Sequence, residues 1–135
     1  MEHTVNDTLE YVISLANHVR KGDISSAILV LLIEMGFQVH MEGFGYLRKA
    51  LRLKCEDTDL RLADIYQEIA RRSNPRISCG QIEQAIVAAI DVAWKNRDSS
   101  TWGYFFHGVR KDSKPSNKVF IARIACFLEL WRDCC

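Results

Sequence analysis

Two prolines and seven glycines are all that interrupt the 135 residues, and they fall in clusters. A β-sandwich or barrel needs turn residues every eight to twelve positions or so, which excludes those folds. No apolar run approaches the length of a membrane span, so no membrane partner is expected. The opening Met1-Glu2-His3-Thr4 lacks the basic-then-apolar pattern of a secretion signal, and the expected location is the cytoplasm. Neither sign of charge prevails: 18 Lys and Arg against 17 Asp and Glu leave a net +1. A balance this even neither marks nor excludes a nucleic-acid binder, because what matters is where the cations collect. The cysteines (Cys55, Cys79, Cys126, Cys134 and Cys135) are odd in number and show no Cys-x-x-Cys spacing, so reduced thiols are expected. His3, His18, His40 and His107 stand at no ligand-like distance from them, which removes a zinc site. There is no Gly-rich phosphate cradle, nucleophile elbow or His-x-x-x-His pair, and Asp64 and Glu68 read as helix-surface charge. Neither an enzyme, nor a cofactor, nor a small-molecule substrate is expected.

What remains is a chain 48% apolar and rich in helix formers, one domain's worth, able to bury about two thirds of its unfolded surface. The expected fold is all-α: a compact multi-helix bundle containing a helix-turn-helix, with one extra N-terminal helix. Residues 1–22 read as the N-terminal extension and residues 23–135 as the helix-turn-helix domain. In the extension, Leu9, Val12, Ile13, Ala16 and Val19 form the stripe of a helix from Thr8 to Arg20, which Tyr11 and Leu15 widen beyond one contact face. Lys21-Gly22-Asp23 stops it. A second helix follows from Ser25 to Met35, with Gly36 where a left-handed cap belongs. Residues 37–40 read as a short extended link. A third helix runs from Phe44 to Cys55 with Leu47, Ala50, Leu51 and Cys55 inward and Arg48, Lys49, Arg52 and Lys54 largely outside. The fourth, Leu60 to Arg72, buries Leu62, Ile65, Tyr66 and Ile69. It ends before Asn74-Pro75, since the residue preceding proline is pushed out of helical geometry.

The fifth helix is the clearest. Ser78 is a good N-cap, and no proline and no glycine after Gly80 interrupts the stretch to Trp94. At about 100° per residue, Ile86, Ala89 and Ala93 fall within roughly 40° of Ile82, with Ala85 and Ile90 on the flanks. That stripe faces inward, leaving Gln81, Gln84, Ala88, Asp91 and Lys95 outward and Val87 at the edge. A short sixth segment, Ser99 to Phe106, carries Trp102, Tyr104, Phe105 and Phe106 as core anchors. The final helix, Ser116 to Arg132, turns Phe120, Ile124, Phe127, Leu128 and Trp131 inward.

Two helices joined by a short break, the second apolar inside and polar outside, make a helix-turn-helix whose second helix enters the major groove. The amide of Gln81 or Gln84 suits the N6/N7 edge of adenine, and Val87 suits a thymine methyl. Arg71, Arg72, Arg76, Ser78, Lys95, Arg110, Lys111, Lys114 and Lys118 are the candidate phosphate contacts. Against this, the charged residues between Ser78 and Trp94 are Glu83 and Asp91, with no Lys or Arg. That helix suits a phosphate-lined groove only if the flanks compensate.

The stretch Ile33-Glu34-Met35-Gly36-Phe37-Gln38-Val39-His40-Met41-Glu42-Gly43-Phe44-Gly45-Tyr46-Leu47-Arg48-Lys49-Ala50 resembles the opening of the C-terminal effector domain of the master sporulation response regulator of endospore-forming bacteria. The run Ile82-Glu83-Gln84-Ala85-Ile86-Val87-Ala88-Ala89-Ile90-Asp91-Val92-Ala93-Trp94 is similar to the same domain. Lys114-Pro115-Ser116-Asn117-Lys118-Val119-Phe120-Ile121-Ala122 resembles its final-helix entry. The likeness spans residues 23–131. It implies a six-helix bundle that binds double-stranded DNA through a helix-turn-helix, often as tandem copies or a homodimer, at the onset of sporulation. It also implies a base-reading face of Gln81, Glu83, Gln84, Val87 and Ala88. On that face the family carries arginines at the positions matching Gln81, Gln84 and Val87 and a histidine at the one matching Ala88; Glu83 alone is kept. At ~1–3 kcal/mol per bidentate base contact, such replacement changes which sequence is preferred. The family's receiver domain has no room in residues 1–22, so phosphorylation in cis is not the expected switch.

Two functions follow. One is a single-domain transcription regulator that reads an altered operator. The other is a non-DNA-binding protein-interaction module that sequesters a protein regulator, with Leu9, Tyr11, Val12, Leu15 and Val19 as its oligomer or partner contact.

Overall fold

The computed structural model describes residues 23–108 and 113–134. Within them lie six helices and no strand: α1 (Ile24–Glu34), α2 (Glu42–Glu56), α3 (Leu62–Arg72), α4 (Cys79–Lys95), α5 (Ser99–Phe105) and α6 (Asn117–Cys134). The expected all-helical bundle is what these residues form. The helix expected over residues 8–20, with Leu9, Tyr11, Val12, Leu15 and Val19, lies outside the described residues, as do Arg110 and Lys111.

α1 starts where Asp23 accepts hydrogen bonds from the Ser26 backbone N–H at 3.1 Å and its hydroxyl at 2.7 Å. Those bonds hold the Asp23 carboxyl below its usual pKa. Ala27, Ile28, Leu31, Leu32 and Met35 are buried, and Gly36 takes the anticipated left-handed conformation at φ +95°. The next residues depart from expectation. In place of an extended link, the Met41 N–H closes a turn onto the Gln38 carbonyl at 3.1 Å. Phe37 drives that turn inward, packing its ring 6.2 Å from Trp102 and 5.3 Å from Phe120.

α2 is the central element and packs against α1, α3, α4 and α6. Phe44, Leu47, Ala50, Leu51 and Cys55 point inward along it. Burial pushes the Cys55 thiol up to about 11, so it is protonated at neutral pH. Lys54, expected largely outside, is half-buried instead. Its ammonium donates to the carbonyls of Thr58 and Leu60, both at 2.7 Å, and so fastens the loop into α3. That loop delays α3 to Leu62, whose side chain is only half-buried, while Ile65, Tyr66, Ile69 and Ala70 are fully inside.

Beneath α4 the aromatic side chains gather around Trp102. Its ring lies 5.6 Å from Trp94, 5.4 Å from Phe106 and 5.7 Å from Phe120. Its indole N–H donates to the Met35 carbonyl at 2.9 Å, which satisfies the one polar atom of a buried ring. Phe105 and Phe106 are buried alongside, whereas Tyr104 is half-buried. From α6, Phe120, Ile124, Leu128 and Trp131 complete the core, each at most 1% exposed.

Candidate functional site

α3 and α4 form the helix pair read from the sequence, separated by residues 73–78. Ser73 leaves the helix with ψ 142° ahead of Asn74-Pro75, as the proline demands. Its hydroxyl donates back to the Ile69 carbonyl at 2.8 Å. α4 then opens with a reciprocal cap. Ser78 Oγ accepts from the Gln81 N–H at 3.1 Å, and Gln81 Oε1 accepts from the Ser78 N–H at 2.8 Å. Two orphan donors of the first turn are met in this way.

Three anchors fix how α4 sits. Along its length, Ile82, Ile86, Ala89, Ile90 and Ala93 are at most 2% exposed. Each fully buried isoleucine contributes ~1.5–3 kcal/mol. At mid-helix, Gly43 of α2 lies against Ala85 and Ala89. A side chain there would run into the Ala85 carbonyl and stand 2.9 Å from the Ala89 Cβ. The two helices therefore meet backbone to backbone, and α2 can start at Glu42, earlier than the apolar pattern suggested. On the flank toward α6, buried Asn117 donates through Nδ2 to the Tyr66 hydroxyl at 2.9 Å and to the Glu83 carbonyl at 3.1 Å. One amide thus ties α3, α4 and α6 together. Past the C-terminal end, Arg97 lies over the Trp94 ring at 3.6 Å and donates to the Trp94 carbonyl at 2.7 Å, closing the aromatic group.

The face left outside holds Gln81, Glu83, Gln84 and Ala88, all exposed, with Val87 half-buried at its edge. Gln84 stands in the middle of this face. Gln81 and Ser78, by contrast, already spend a carbonyl oxygen and a hydroxyl on the cap. The surrounding cations are also engaged. Arg71 and Arg72 reach the Glu68 carboxylate at 2.6 and 2.7 Å. The Arg71 hydrogen bond is the main cause of a lowered Glu68 pKa. Lys95 and Lys114 share Asp91 at 3.0 and 3.3 Å, which holds that carboxyl below its usual range, Lys95 contributing most. Arg76 and Lys118 are exposed on either side, one in the inter-helix turn and the other at the start of α6. Two groups of cations therefore bracket α4, Arg71, Arg72 and Arg76 near its N-terminus and Lys95 and Lys114 near its C-terminus.

Sequence reasoning did not foresee the parts played by Gly43 and Asn117. A glycine inside a helix is a signal of close backbone approach, but no comparable signal marks Asn117. Another basic group, Arg48, Lys49 and Arg52, lines an open cleft of about 230 Å³ with Ser25, Ile28 and Gly45. At about 100° per residue these cations lie on the side of α2 opposite Gly43, and so away from α4.

Among the described residues no helix is long and apolar enough to cross a membrane, and no group of three His, Cys, Asp or Glu side chains is placed to hold a metal ion. A family model described as the sporulation initiation factor Spo0A C terminal matches residues 28–128, from α1 into α6 and well over half of the chain. With the helix order, the helix-turn-helix and that match together, the chain belongs to the sporulation initiation factor Spo0A C-terminal family, the non-catalytic DNA-binding effector domain of sporulation regulators.

Proposed function

We propose that α4 reads the major groove of double-stranded DNA in the cytoplasm, with Gln84 as its principal base contact. The observation that carries this reading is that Gln84 is exposed at the centre of a helix whose opposite face is completely buried. A helix held so firmly presents its outer side chains without further ordering, which lowers the cost of binding. Gln84 offers the donor and acceptor that adenine matches, Glu83 accepts from the cytosine amino group, and Val87 and Ala88 suit a thymine methyl. Gln81 assists through its Nε2 donor while its carbonyl stays in the cap.

Affinity comes from the brackets. Arg71, Arg72 and Arg76 meet phosphates beside the N-terminus of α4, where Ser78 also lies. Lys95 and Lys114 meet them near its C-terminus and Lys118 at the start of α6, and Arg110 and Lys111 are further phosphate contacts. Such contacts release counterions, so binding weakens steeply with salt. Glu68 and Asp91 restrain four of these cations, and each must yield its partners at least in part to phosphate. Two copies bind adjacent half-sites, since a single helix-turn-helix reads only one. Residues 23–135 form the DNA-binding unit and residues 1–22 an appendage to it.

Selection from a random duplex library tests this reading. The expected result is an enriched motif whose affinity falls steeply as salt rises, with Gln84→Ala flattening preference at one base position and leaving non-specific binding nearly unchanged. No enrichment, together with salt-insensitive binding, would contradict it.

A second reading is favoured by one observation: the outer face of α4 carries Glu83 and Asp91 but no basic residue before Lys95. On this reading α4 docks on a protein regulator through Val87 and Ala88, with Leu9, Tyr11, Val12, Leu15 and Val19 adding to the contact. Competition with a full-length regulator that is abolished by Val87→Glu, in a chain that selects no duplex, distinguishes it from the first.

A further inference from the structure

α1 is apolar on two sides. Its inner side, Ala27, Ile28, Leu31, Leu32 and Met35, is buried in the bundle, where α2 and α6 are its main neighbours. At about 100° per residue, Ser26, Leu29, Val30 and Ile33 fall together on the opposite side. Leu29 and Val30 are half-buried there, and Ile33 is 50% exposed. A helix apolar all round is one with packing partners on both sides.

The sequence places a candidate for the outer side directly before it. Residues 8–20 carry Leu9, Val12, Ile13, Ala16 and Val19 on one stripe, flanked by Tyr11 and Leu15. Lys21 and Gly22 alone separate this stretch from Asp23, the N-cap of α1. Connections that short make consecutive helices antiparallel neighbours. The lengths also agree, since as helices they span ~20 and ~16 Å.

We propose that residues 8–20 form a helix that folds back antiparallel onto the outer side of α1 in the same chain. Val19 then falls beside Ser26, and Val12 falls beside Ile33. The hydroxyl of Ser26, already bonded to Asp23, lets the two backbones approach closely. The docking is independent of how α4 reads DNA.

Hydrogen exchange on the full chain tests it, because a helix of this length is marginal in water unless something covers it. Amides of residues 9–20 are expected to be protected equally across a hundredfold dilution, with light scattering reporting a monomer. The double variant Val30→Glu/Ile33→Glu should lower that protection at least tenfold while α2 to α6 stay protected. If that variant unfolds the bundle, Leu9→Glu/Val12→Glu carries the same expectation without touching α1. Unprotected amides in the unaltered chain would overturn the proposal, as would protection untouched by both variants. Protection that vanishes on dilution alongside a dimer mass would also overturn it, making a second copy the occupant.

Discussion

The two sides of α4 are built on different terms. The inner side is specified by the chain itself: Ile82, Ile86 and Ala93 have no exposure at all, Gly43 admits the backbone of Ala85, and Asn117 holds the Glu83 carbonyl. The outer side has no such constraint from within. Gln84 and Ala88 face solvent, and Val87 sits at the boundary. Orientation is therefore a property of the inner side, and on the proposed function recognition is a property of the outer one. Substitutions on the two should separate, the first moving stability and the second moving affinity.

The largest effect is expected at Gly43. A valine there collides with the Ala85 carbonyl, which is backbone and cannot swing aside, so Gly43→Val should abolish the cooperative thermal melt followed by circular dichroism. Ile86→Ala removes a fully buried side chain and should cost ~2–5 kcal/mol in urea unfolding. Asn117→Ala comes next, at ~1–3 kcal/mol, because it strips the donor from the buried Tyr66 hydroxyl and the Glu83 carbonyl together. A stability loss below ~0.5 kcal/mol at either of the last two positions would mean that α4 is held by something else.

Asp91→Asn probes the outer side and should barely move stability, since its ion pairs are exposed. It removes a negative charge from the face proposed to meet phosphate and frees Lys95 and Lys114. Non-specific duplex affinity should rise severalfold at low salt, with a steeper salt dependence in a filter-binding or anisotropy titration. Unchanged affinity would place those lysines away from the DNA.

The inner side of α4 was legible because periodicity is a packing signal. The spacing of Ile82, Ile86, Ala89 and Ala93 has only one folded interpretation, and Ser78 with Gln81 marks the start of the helix. The link at residues 37–40 was read wrongly because Phe37 is anchored by rings from α5 and α6, which no local pattern foretells. Asn117 was hidden for a similar reason, as its partners lie 51 and 34 residues away along the chain. The engagement of Arg71 and Arg72 by Glu68 follows from helical spacing. That of Lys114 by Asp91 does not, since it joins α4 to a distant loop. The outer side of α4 is only partly legible for a deeper reason: no packing within the chain constrains it, and on the proposed function its residues answer to a partner whose sequence the chain does not contain.

The most direct measurement is photo-cross-linking to a selected duplex, with a photoreactive residue placed in turn at positions 84, 88, 49 and 52. Cross-links from positions 84 and 88, and none from 49 and 52, are what a groove-reading α4 requires. Cross-links confined to positions 49 and 52, on the far side of α2, would show that DNA meets the other basic surface and that α4 faces away from it.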